Sequence, residues 1–339
     1  MNDVLQVLQE RFLLQKEFLG DEKPINKVQP LVSVSVPTYQ HSRYISECLD
    51  GILMQQTSFP IEIIIGEDGS TDGTREICEE YAIKHQDKIR LFNRDRKLSQ
   101  YVDKEGHVTR FNGIWNRMSA RGKYIAMCEG DDYWIDPSKL QKQVCFLENN
   151  PEHTLCFHNA KIIYGNKELE QHYRLIHKDT FYNIEDRDYS NVEIYENWII
   201  PTASVVFKKK ILNSDIYQKA INSGKFRYGD IILFLSCCHY GKIRGFKDIM
   251  SVYRRLESGM VFQDNVNDHT TDLIQHHSEI PIIFGEKFKS PSRRQKTYVY
   301  LSAWNNHKRF LYVIKAFFNY PSFFIKLLLK VIKRNIYKK

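Results

Sequence analysis

The 339-residue sequence has no uninterrupted apolar run of the ~20 residues that a membrane-spanning helix needs. Its start lacks a basic segment followed by an apolar one, so we expect no signal peptide. Glycine and proline are few, at 16 and 10 residues, which excludes collagen-like and low-complexity chains. With 42% hydrophobic and 27% charged residues, the composition predicts a folded globular protein, whose bulk we expect in the cytoplasm.

Cysteine patterns that signal a special site are also missing. The seven cysteines are an odd number, and none forms a CxxC pair, which argues against a disulfide framework, a zinc site or a redox motif. The signatures GxGxxG, GxxxxGK[ST], HExxH and GxSxG do not occur. A dinucleotide fold, a P-loop, a zincin site and a nucleophile elbow are therefore disfavoured.

Excess positive charge is confined to the C-terminal tail. Of 49 basic residues, six lie in Phe323–Lys339 with no acidic residue beside them, and the remaining 43 face 41 acidic residues. A nucleic-acid footprint across the fold is therefore not expected. The tail interleaves lysine with phenylalanine, leucine and isoleucine, which indicates either a helix lying in an anionic membrane interface or a helix packed on the body.

Strands and helices alternate through the first half of the chain. Residues 31–36 are β-branched and alternating, which predicts a first strand ended by Pro37. Three more apolar strands are predicted at 61–65, 89–92 and 124–128, with amphipathic helices between them. This rhythm predicts an α/β protein with a doubly covered, mostly parallel sheet. The expected helix N-caps are Ser42, Asp72 and Asp136.

Polar residues follow three of these strands, at 37–39, 67–70 and 129–132. Ligands of open α/β sheets bind at the carboxyl ends of the strands. The acidic side chains after the fourth strand would repel one another, so a hard cation is implied. Residues two apart in an extended segment face the same way, so Glu129 and Asp131 can both offer oxygens to Mg²⁺ or Mn²⁺. The alternative is a polar turn before the next helix.

Together these blocks resemble the family 2 glycosyltransferases of the GT-A fold. The resemblance rests on VSVSVPTY at 32–39, IIIGEDGSTDGT at 63–74 and GKYIAMCEGDDYW at 122–134. It covers residues 30–140, with weaker similarity to about 256. It implies a GT-A-like α/β fold with a specialised acceptor-side second half and a C-terminal helical tail.

The resemblance also implies a division of the chain. We expect an N-terminal helical leader over 1–29, lying outside the main fold, and a GT-A domain over 30–260. Within that domain, 30–140 would hold the nucleotide-sugar and 141–260 the acceptor. A helical region over 261–339 would end in the basic amphipathic tail.

Donor-binding residues carry over at two blocks. Pro37, Thr38 and Tyr39 match the loop that holds the base and ribose of the nucleotide, and Asp68 matches the acid that hydrogen-bonds the base. Asn112 and Asn116 occupy a segment with either polar donor contacts or polar helix surface.

The third block matches the DXD motif, which presents the metal to the diphosphate of the donor. Asp131 is expected to coordinate the metal directly. Glu129 stands where an aspartate is commoner, and its longer side chain reaches differently. Asp132 is expected to orient the donor sugar or the loop.

Candidates for chemistry and acceptor binding lie further along. Asp230 precedes an apolar helix and matches the general base, although an N-cap is the alternative. Trp198 is either an acceptor-side ring that stacks on a sugar or a core residue. Arg254 and Arg255 are expected to meet donor phosphates. A histidine often follows this segment in the family, but Leu256 stands here, so a third metal ligand is in doubt.

The resemblance therefore implies a metal-dependent, inverting hexosyl- or N-acetylhexosaminyltransferase. The expected donor is a UDP-sugar, and the expected acceptor is a hydroxyl of a glycan or lipid-linked glycan. The tail would attach the enzyme to the inner face of the cell membrane. A non-catalytic nucleotide-sugar-binding or scaffold protein of the same fold and a nucleotidyltransferase remain alternatives.

Overall fold

The computed structural model describes residues 4–102, 106, 108–167, 169–170, 183–257, 259 and 269–336, with side chains up to 329. The chain divides into two compact units. One comprises Met1–Gly224 and Asp230–Leu256, and the other comprises Lys225–Gly229 and Glu257–Lys339.

The first unit contains all the described strands. They are β1 (Val32–Thr38), β2 (Ile61–Glu67), β3 (Ile89–Asn93), β4 (Gln100–Val102), β5 (Val108–Arg110), β6 (Tyr124–Met127), β7 (Tyr133–Trp134), β8 (His153–Tyr164), β9 (Val206–Lys208) and β10 (Lys242–Arg255). Its helices are α1 (Val4–Phe12), α2 (Ile45–Leu53), α3 (Thr74–Lys84), α4 (Asn112–Ser119), α5 (Lys139–Asn149), α6 (Asn191–Asn197), α7 (Asp215–Ser223) and α8 (Gly229–Tyr240).

Eight of these strands form one mixed sheet in the order β3-β2-β1-β6-β9-β8-β10-β7, and β4 pairs with β5 in a small hairpin. The pairs β1–β2, β2–β3, β1–β6 and β8–β10 are parallel. The short strands β9 and β7 run antiparallel to their neighbours. The predicted α/β class and mostly parallel sheet are therefore confirmed.

The core lies where helices cover the first strands. Val34, Ile63 and Leu91 are buried in β1, β2 and β3, and Ile52 and Val144 pack against them from α2 and α5. These residues follow the apolar spacing that the sequence displays, because a parallel strand covered on both faces has no solvent side.

One buried residue of this region breaks the apolar pattern. Lys139, at the start of α5, is fully buried, and its Nζ lies 4.0 Å from the centre of the Trp134 ring. No hydrogen-bond partner for Nζ occurs among the described residues. Burial lowers the pKa of Lys139 to about 7.

Pro37 does not end the first strand as predicted. β1 continues through Pro37 to Thr38, with Pro37 opposite Gly66 of β2. The carbonyl of Pro37 accepts a hydrogen bond from the N–H of Gly130, beyond the end of β6.

The predicted N-caps are displaced. α2 begins at Ile45 rather than after Ser42, and Ser42 N–H donates to Asp72 Oδ2 at 3.0 Å. Asp72 Oδ1 accepts from Thr74 N–H at 3.1 Å, two residues ahead, and Gly73 with φ of 98° precedes α3. In the same way Asp136 accepts from Ser138 N–H at 2.8 Å, and α5 starts at Lys139. Both aspartates form Asx turns, and the helices begin two residues after Asp72 and three residues after Asp136.

The N-terminal helix packs against the first unit. Leu8 of α1 is buried, and its carbonyl accepts a hydrogen bond from Trp115 Nε1 at 3.1 Å. Arg11 donates to the carbonyl of Gln100 at 2.7 Å. Helix α1, within the predicted leader segment 1–29, thus packs on the main fold and does not lie outside it.

A buried polar network joins α4 to the sheet. Asn112 and Asn116 donate to the carbonyls of Gly66 and Ile64 in β2, at 2.9 and 3.2 Å. Both side-chain carbonyls accept from Arg94 Nη1. A Cβ on Gly66 would collide with Arg94 and with both asparagines, so glycine leaves the space that they fill. The two asparagines are buried, not on the helix surface.

The second unit is helical. It contains α9 (Thr270–Phe284), α10 (Lys289–His307), α11 (Leu311–Asn319) and α12 (Pro321–Ile336). Pro321 opens α12 and so separates the two tail helices, as expected of proline at a first helical position. Within the described residues, none of the helices combines the length and the apolarity needed to cross a bilayer.

Candidate active site

The acidic segment 129–132 leaves β6 and is held from two sides. On the β1 side, Cys128 N–H donates to Ser35 O and Gly130 N–H donates to Pro37 O, both at 3.1 Å. On the β10 side, Arg254 N–H donates to Asp132 Oδ1 at 2.8 Å, and Arg254 Nη1 donates to Asp131 O at 2.5 Å. We call residues 129–132 the acidic turn. It is fixed between the two halves of the sheet.

Gly130 allows the acidic turn to approach the end of β1 closely. A Cβ on Gly130 would lie 2.5 Å from Thr38 Oγ1, 2.8 Å from Thr38 Cβ and 2.9 Å from His41 Nδ1. Thr38 is buried, and its hydroxyl lies 3.2 Å from His41 Nδ1. A side chain at position 130 would therefore separate the predicted donor loop from the predicted metal motif.

Three carboxylates converge at this edge of the sheet. Burial is the main cause that raises the pKa of Glu129, to about 8, and the charges of Asp131 and Asp230 raise it further. Burial also raises the pKa of Asp230. Asp230 follows Asp131 by 99 positions in the sequence, yet both lie near enough to Glu129 for their charges to act on it. Like charges held this close favour a bound cation or proton.

The acidic turn has the oxygen donors for a cation whose remaining ligands come from a bound phosphate group. Among the residues that the structure describes, no three His, Cys, Asp or Glu side chains form a complete metal site. Mg²⁺ and Mn²⁺ are held by one or two carboxylates, with phosphates and water completing the shell. Asp131 is partly exposed, and Glu129 lies two residues away. The oxygen donors therefore suit a metal that arrives with a diphosphate.

Asp132 and Arg254 form the inner support of the acidic turn. Asp132 is buried, and burial together with Asp131 and Glu129 holds its pKa well above the usual range. The Arg254 guanidinium pairs with Glu47, and its centre lies 4.5 Å from the Tyr133 ring. These contacts position the turn, and the predicted sugar and phosphate roles of Asp132 and Arg254 remain predictions.

Arg255 and Trp198 are two further residues for which the sequence predicts contacts with the substrates. Arg255 neighbours Arg254 on β10, and successive strand residues point to opposite faces, so the two arginines diverge. Trp198 follows α6 in the left-handed conformation, with φ of 49°, and is half-buried. Their proposed contacts with donor phosphate and acceptor sugar remain predictions.

A second polar cluster lies beside β1, at the predicted base-binding loop. Asp68 accepts from Arg96 Nη1 at 2.7 Å and from the hydroxyl of Ser99. The Arg96 guanidinium stacks on the Tyr39 ring, 3.5 Å from its centre. Burial raises the pKa of Asp68 in spite of these partners. A stacked aromatic ring beside a carboxylate acceptor suits a planar ligand with N–H groups.

Asp230 lies in the first turn of α8, as predicted. Its Oδ1 accepts a hydrogen bond from Ile231 N–H at 2.8 Å, so one oxygen serves the helix end. The charge of Asp230 also raises the pKa of Glu129, so this carboxylate lies near the acidic turn. The structure places it where both a cap and a base are possible, and its catalytic role remains a prediction.

Three residues near these clusters were not predicted from the sequence. His41 Nε2 lies 3.9 Å from Asp131 Oδ2. Arg96 pairs with Asp68, and Arg117 of α4 is buried close enough to lower the pKa of both Glu129 and Asp230. His41 and Arg96 lie in loops and Arg117 lies on a short helix, and no local sequence pattern singles them out.

Comparison with known families decides the class of protein. Residues 33–219, more than half of the chain, match the model of "Glycosyl transferase family 2". The chain belongs to this family. Membership in glycosyltransferase family 2 confirms the resemblance seen in the sequence and supports glycosyl transfer as the class of reaction.

Relatives of this family 2 member match part of their own length. An uncharacterised protein of Mycobacterium tuberculosis is 34% identical over 230 residues, which is 68% of this chain and 59% of the relative. The uncharacterised glycosyltransferase EpsJ of Bacillus subtilis is 41% identical over 123 residues, covering 36% of this chain and 31% of EpsJ. The chain thus spans about three fifths of the length of the mycobacterial relative.

Solved structures share the fold of this family 2 domain. TarS residues 1–349 from S. aureus, in complex with UDP-GlcNAc, match with a TM-score of 0.53 at 16% identity, over 81% of this chain and 72% of that TarS fragment. The mannosyltransferase PcManGT from Pyrobaculum calidifontis, in complex with GDP-Man and Mn²⁺, matches with a TM-score of 0.52 at 17% identity, over 99% of this chain and 88% of its own. The predicted GT-A-like fold is confirmed.

Proposed function

We propose that this protein transfers a sugar, with inversion, from a nucleotide-sugar donor to a hydroxyl group of a glycan or lipid-linked glycan. The observation that carries the proposal is the packing of the acidic turn against the end of β1, with the charges of both Asp131 and Asp230 acting on Glu129. Tyr39 and Asp68, near the end of β1, have the features of a nucleotide site. Asp230 adds a carboxylate from a separate helix, α8. Such an arrangement suits a displacement between two bound substrates.

Donor binding would use both polar clusters. The base would contact Tyr39 and Asp68, with the ribose against Pro37 and Thr38. A UDP-sugar is the donor we favour, and TarS, a fold neighbour, is seen with UDP-GlcNAc. Because Arg96 occupies Tyr39 and Asp68 in the structure, its guanidinium would move aside or stack on the base.

The chemistry would take place in one step. Asp230 would accept the proton of the acceptor hydroxyl, whose oxygen attacks the anomeric carbon from the face opposite the diphosphate. The bond between that carbon and the phosphate oxygen breaks, and the nucleoside diphosphate leaves with the electron pair. Mg²⁺ or Mn²⁺, when bound, supplies positive charge to the departing diphosphate. Asp131, with Glu129 behind it, would hold that ion. Burial brings the pKa of Asp230 closer to neutral, as suits a general base.

Asp131→Asn tests the proposal against a matched control. We expect it to abolish nearly all release of nucleoside diphosphate from UDP-GlcNAc, UDP-glucose, UDP-galactose and GDP-mannose in the presence of Mg²⁺ or Mn²⁺, with or without lipid-linked acceptors. EDTA should do the same reversibly. The control is Asp136→Asn, because the Asp131 and Asp136 side chains are 21% and 22% exposed and Asp136 pairs with Lys142 instead.

The outcomes separate the alternatives. If the unsubstituted protein releases no nucleoside diphosphate from any donor but binds one, the scaffold hypothesis replaces ours. Release of pyrophosphate from a nucleoside triphosphate and a sugar phosphate would indicate a nucleotidyltransferase. Equal activity of Asp131→Asn and Asp136→Asn would remove Asp131 from the mechanism.

We also propose that the tail helices attach the protein to an anionic membrane surface. Phe310, Phe318 and Leu329 are 68%, 73% and 53% exposed in this part of the chain. Arg294 and Lys326 line a 470 Å³ cleft with Tyr320 and Phe323, a setting that suits a lipid phosphate between aromatic rings. The other basic residues of the tail lie outside the described side chains: Lys330, Lys333, Arg334, Lys338 and Lys339.

A further inference from the structure

Helix α4 carries a buried arginine whose Nε lacks an acceptor among the described residues. Arg117 is only 7% exposed, and its Nε has no hydrogen-bond partner among the described residues. Two other buried arginines bind acceptors through most of their N–H groups: Arg94 donates to two asparagines, with only its Nη2 lacking a partner among the described residues, and Arg254 binds Glu47 and the Asp131 carbonyl. Burying a guanidinium without an acceptor is costly, so the position of Arg117 calls for a ligand.

The side chain of Arg117 points to the donor side of the site. α4 presents two neighbouring stripes, of which Asn112 and Asn116 bind the carbonyls of β2. The other stripe is Gly113 and Arg117, four residues apart. A Cβ on Gly113 would lie 3.4 Å from Arg117 Nη1 and 3.8 Å from Pro37 Cγ. These are ordinary contact distances, and they place the guanidinium beside Pro37, the residue that opens the donor loop.

Arg117 also lies within the electrostatic field of the acidic residues. Its charge lowers the pKa of both Glu129 and Asp230. In the described part of the chain, neither carboxylate forms an ion pair with it. The guanidinium therefore faces Pro37 and two carboxylates at a distance and binds none of them.

We propose that Arg117 binds the diphosphate of the nucleotide-sugar donor, an inference that rests on the proposed function. The planar guanidinium offers two parallel N–H groups, which match two phosphate oxygens. Negative charge on the diphosphate grows as the bond to the anomeric carbon breaks, so Arg117 stabilises the leaving group more strongly than the intact donor. Arg117 would thus share with a metal at Asp131 the stabilisation of negative charge on the leaving diphosphate.

Calorimetric titration of the full chain with UDP and GDP in the presence of Mg²⁺ tests this assignment. Arg117→Met should weaken binding of the favoured diphosphate about 10- to 100-fold, the loss expected for charge-assisted hydrogen bonds. Binding of the matching nucleoside, uridine or guanosine, should not change. Arg117→Lys keeps the charge but not the paired N–H groups, so it should restore part of the affinity. The control is Lys123→Met, because Lys123 is exposed and pairs with Glu148 at the opposite end of β6.

Thermal unfolding without ligand separates binding from a structural role. Because the guanidinium lacks an acceptor in the unliganded protein, Arg117→Met should melt at the same temperature as the unsubstituted protein or higher. A lower melting temperature restored by Arg117→Lys, with diphosphate affinity unchanged in that variant, would make Arg117 structural and overturn the inference.

The binding results distinguish this inference from the proposed function. If the unsubstituted protein binds neither UDP nor GDP, the proposed donor class is wrong and the inference falls with it. If it binds one of them and Arg117→Met binds it equally well, the inference is wrong and the proposed function stands.

Discussion

Gly130→Ala probes the contact between the acidic turn and the end of β1. The backbone of Gly130 does not have a positive φ, so alanine can adopt it without strain. The added methyl group would meet Thr38 Oγ1 and Cβ at 2.5 and 2.8 Å, and His41 Nδ1 at 2.9 Å. Thr38 cannot turn away, because it is buried at the end of a central strand. The acidic turn must therefore move.

The expected loss of stability follows from these contacts. Overpacking of this kind costs about 1–3 kcal/mol. If the turn moves, the bond from Gly130 N–H to Pro37 O is also lost, at about 0.5–1.5 kcal/mol. Reduced entropy of the unfolded chain offsets about 0.4–1 kcal/mol. The net loss is about 0.5–4 kcal/mol, and displacement of Asp131 by about 1 Å would lower turnover on the order of 100-fold.

Urea unfolding followed by tryptophan fluorescence measures the first effect, and nucleoside diphosphate release measures the second. Gly229→Ala is the control, since its Cβ would meet nothing within 4 Å and it should lose no stability. Thr38→Ala removes the nearest atom, so the double variant should lose less than the two single variants together. Unchanged stability and activity of Gly130→Ala would refute the close packing of the acidic turn on Thr38.

Asp230→Asn should lower turnover about 10²–10⁴-fold and leave donor affinity nearly intact, as steady-state kinetics and calorimetry can separate. A lowered melting temperature with a proportionate loss of activity would instead assign Asp230 to helix capping. Lys139→Met should stabilise the fold by about 1–4 kcal/mol at pH 7, because the buried ammonium lacks a partner among the described residues. The pKa of Lys139 is about 7 in the folded state and near 10.4 in the unfolded state, so the gain should be full below pH 7 and vanish by about pH 10. Urea unfolding measures it, and no gain at pH 7 would contradict the prediction. Removing Phe323–Lys339 should abolish salt-sensitive binding to anionic vesicles in flotation assays while transfer to a soluble acceptor persists. A full chain that ignores such vesicles at low salt would contradict the membrane proposal.

Local patterns in the sequence predict most of the first half of the fold. The apolar runs of β1, β2, β3 and β6 are readable because strands buried on both faces admit little else. Helix starts were misplaced because Asp72 and Asp136 bond two residues ahead in an Asx turn, which resembles a cap in sequence. The continuation of β1 through Pro37 depends on contacts with Gly66 of β2 and with Gly130 beyond β6. These are tertiary contacts that no local sequence pattern reports.

The candidate site was only partly predictable for the same reason. The two-residue spacing of Glu129 and Asp131 indicates a metal site, and the apolar helix that follows Asp230 indicates its position at a helix start. The bond between Asp132 and Arg254 joins residues 122 positions apart, so no local pattern reports it. Arg117 looks like any basic residue near the end of a short helix until its burial is known. Sequence patterns thus indicate which chemistry is present, while long-range contacts decide which side chains support it.

The network around Gly66 has a consequence for how this protein can vary among its relatives. Arg94, Asn112 and Asn116 fill the space that a side chain at position 66 would need. A mutation at any one of these four positions leaves the other three with a cavity, a collision or an unsatisfied buried group. We expect them to be inherited as a set, so that a relative with alanine at position 66 also lacks the arginine. Replacing these four residues would need several simultaneous mutations. We therefore expect the contact between α4 and β2 to evolve slowly, whichever sugar a given family member transfers.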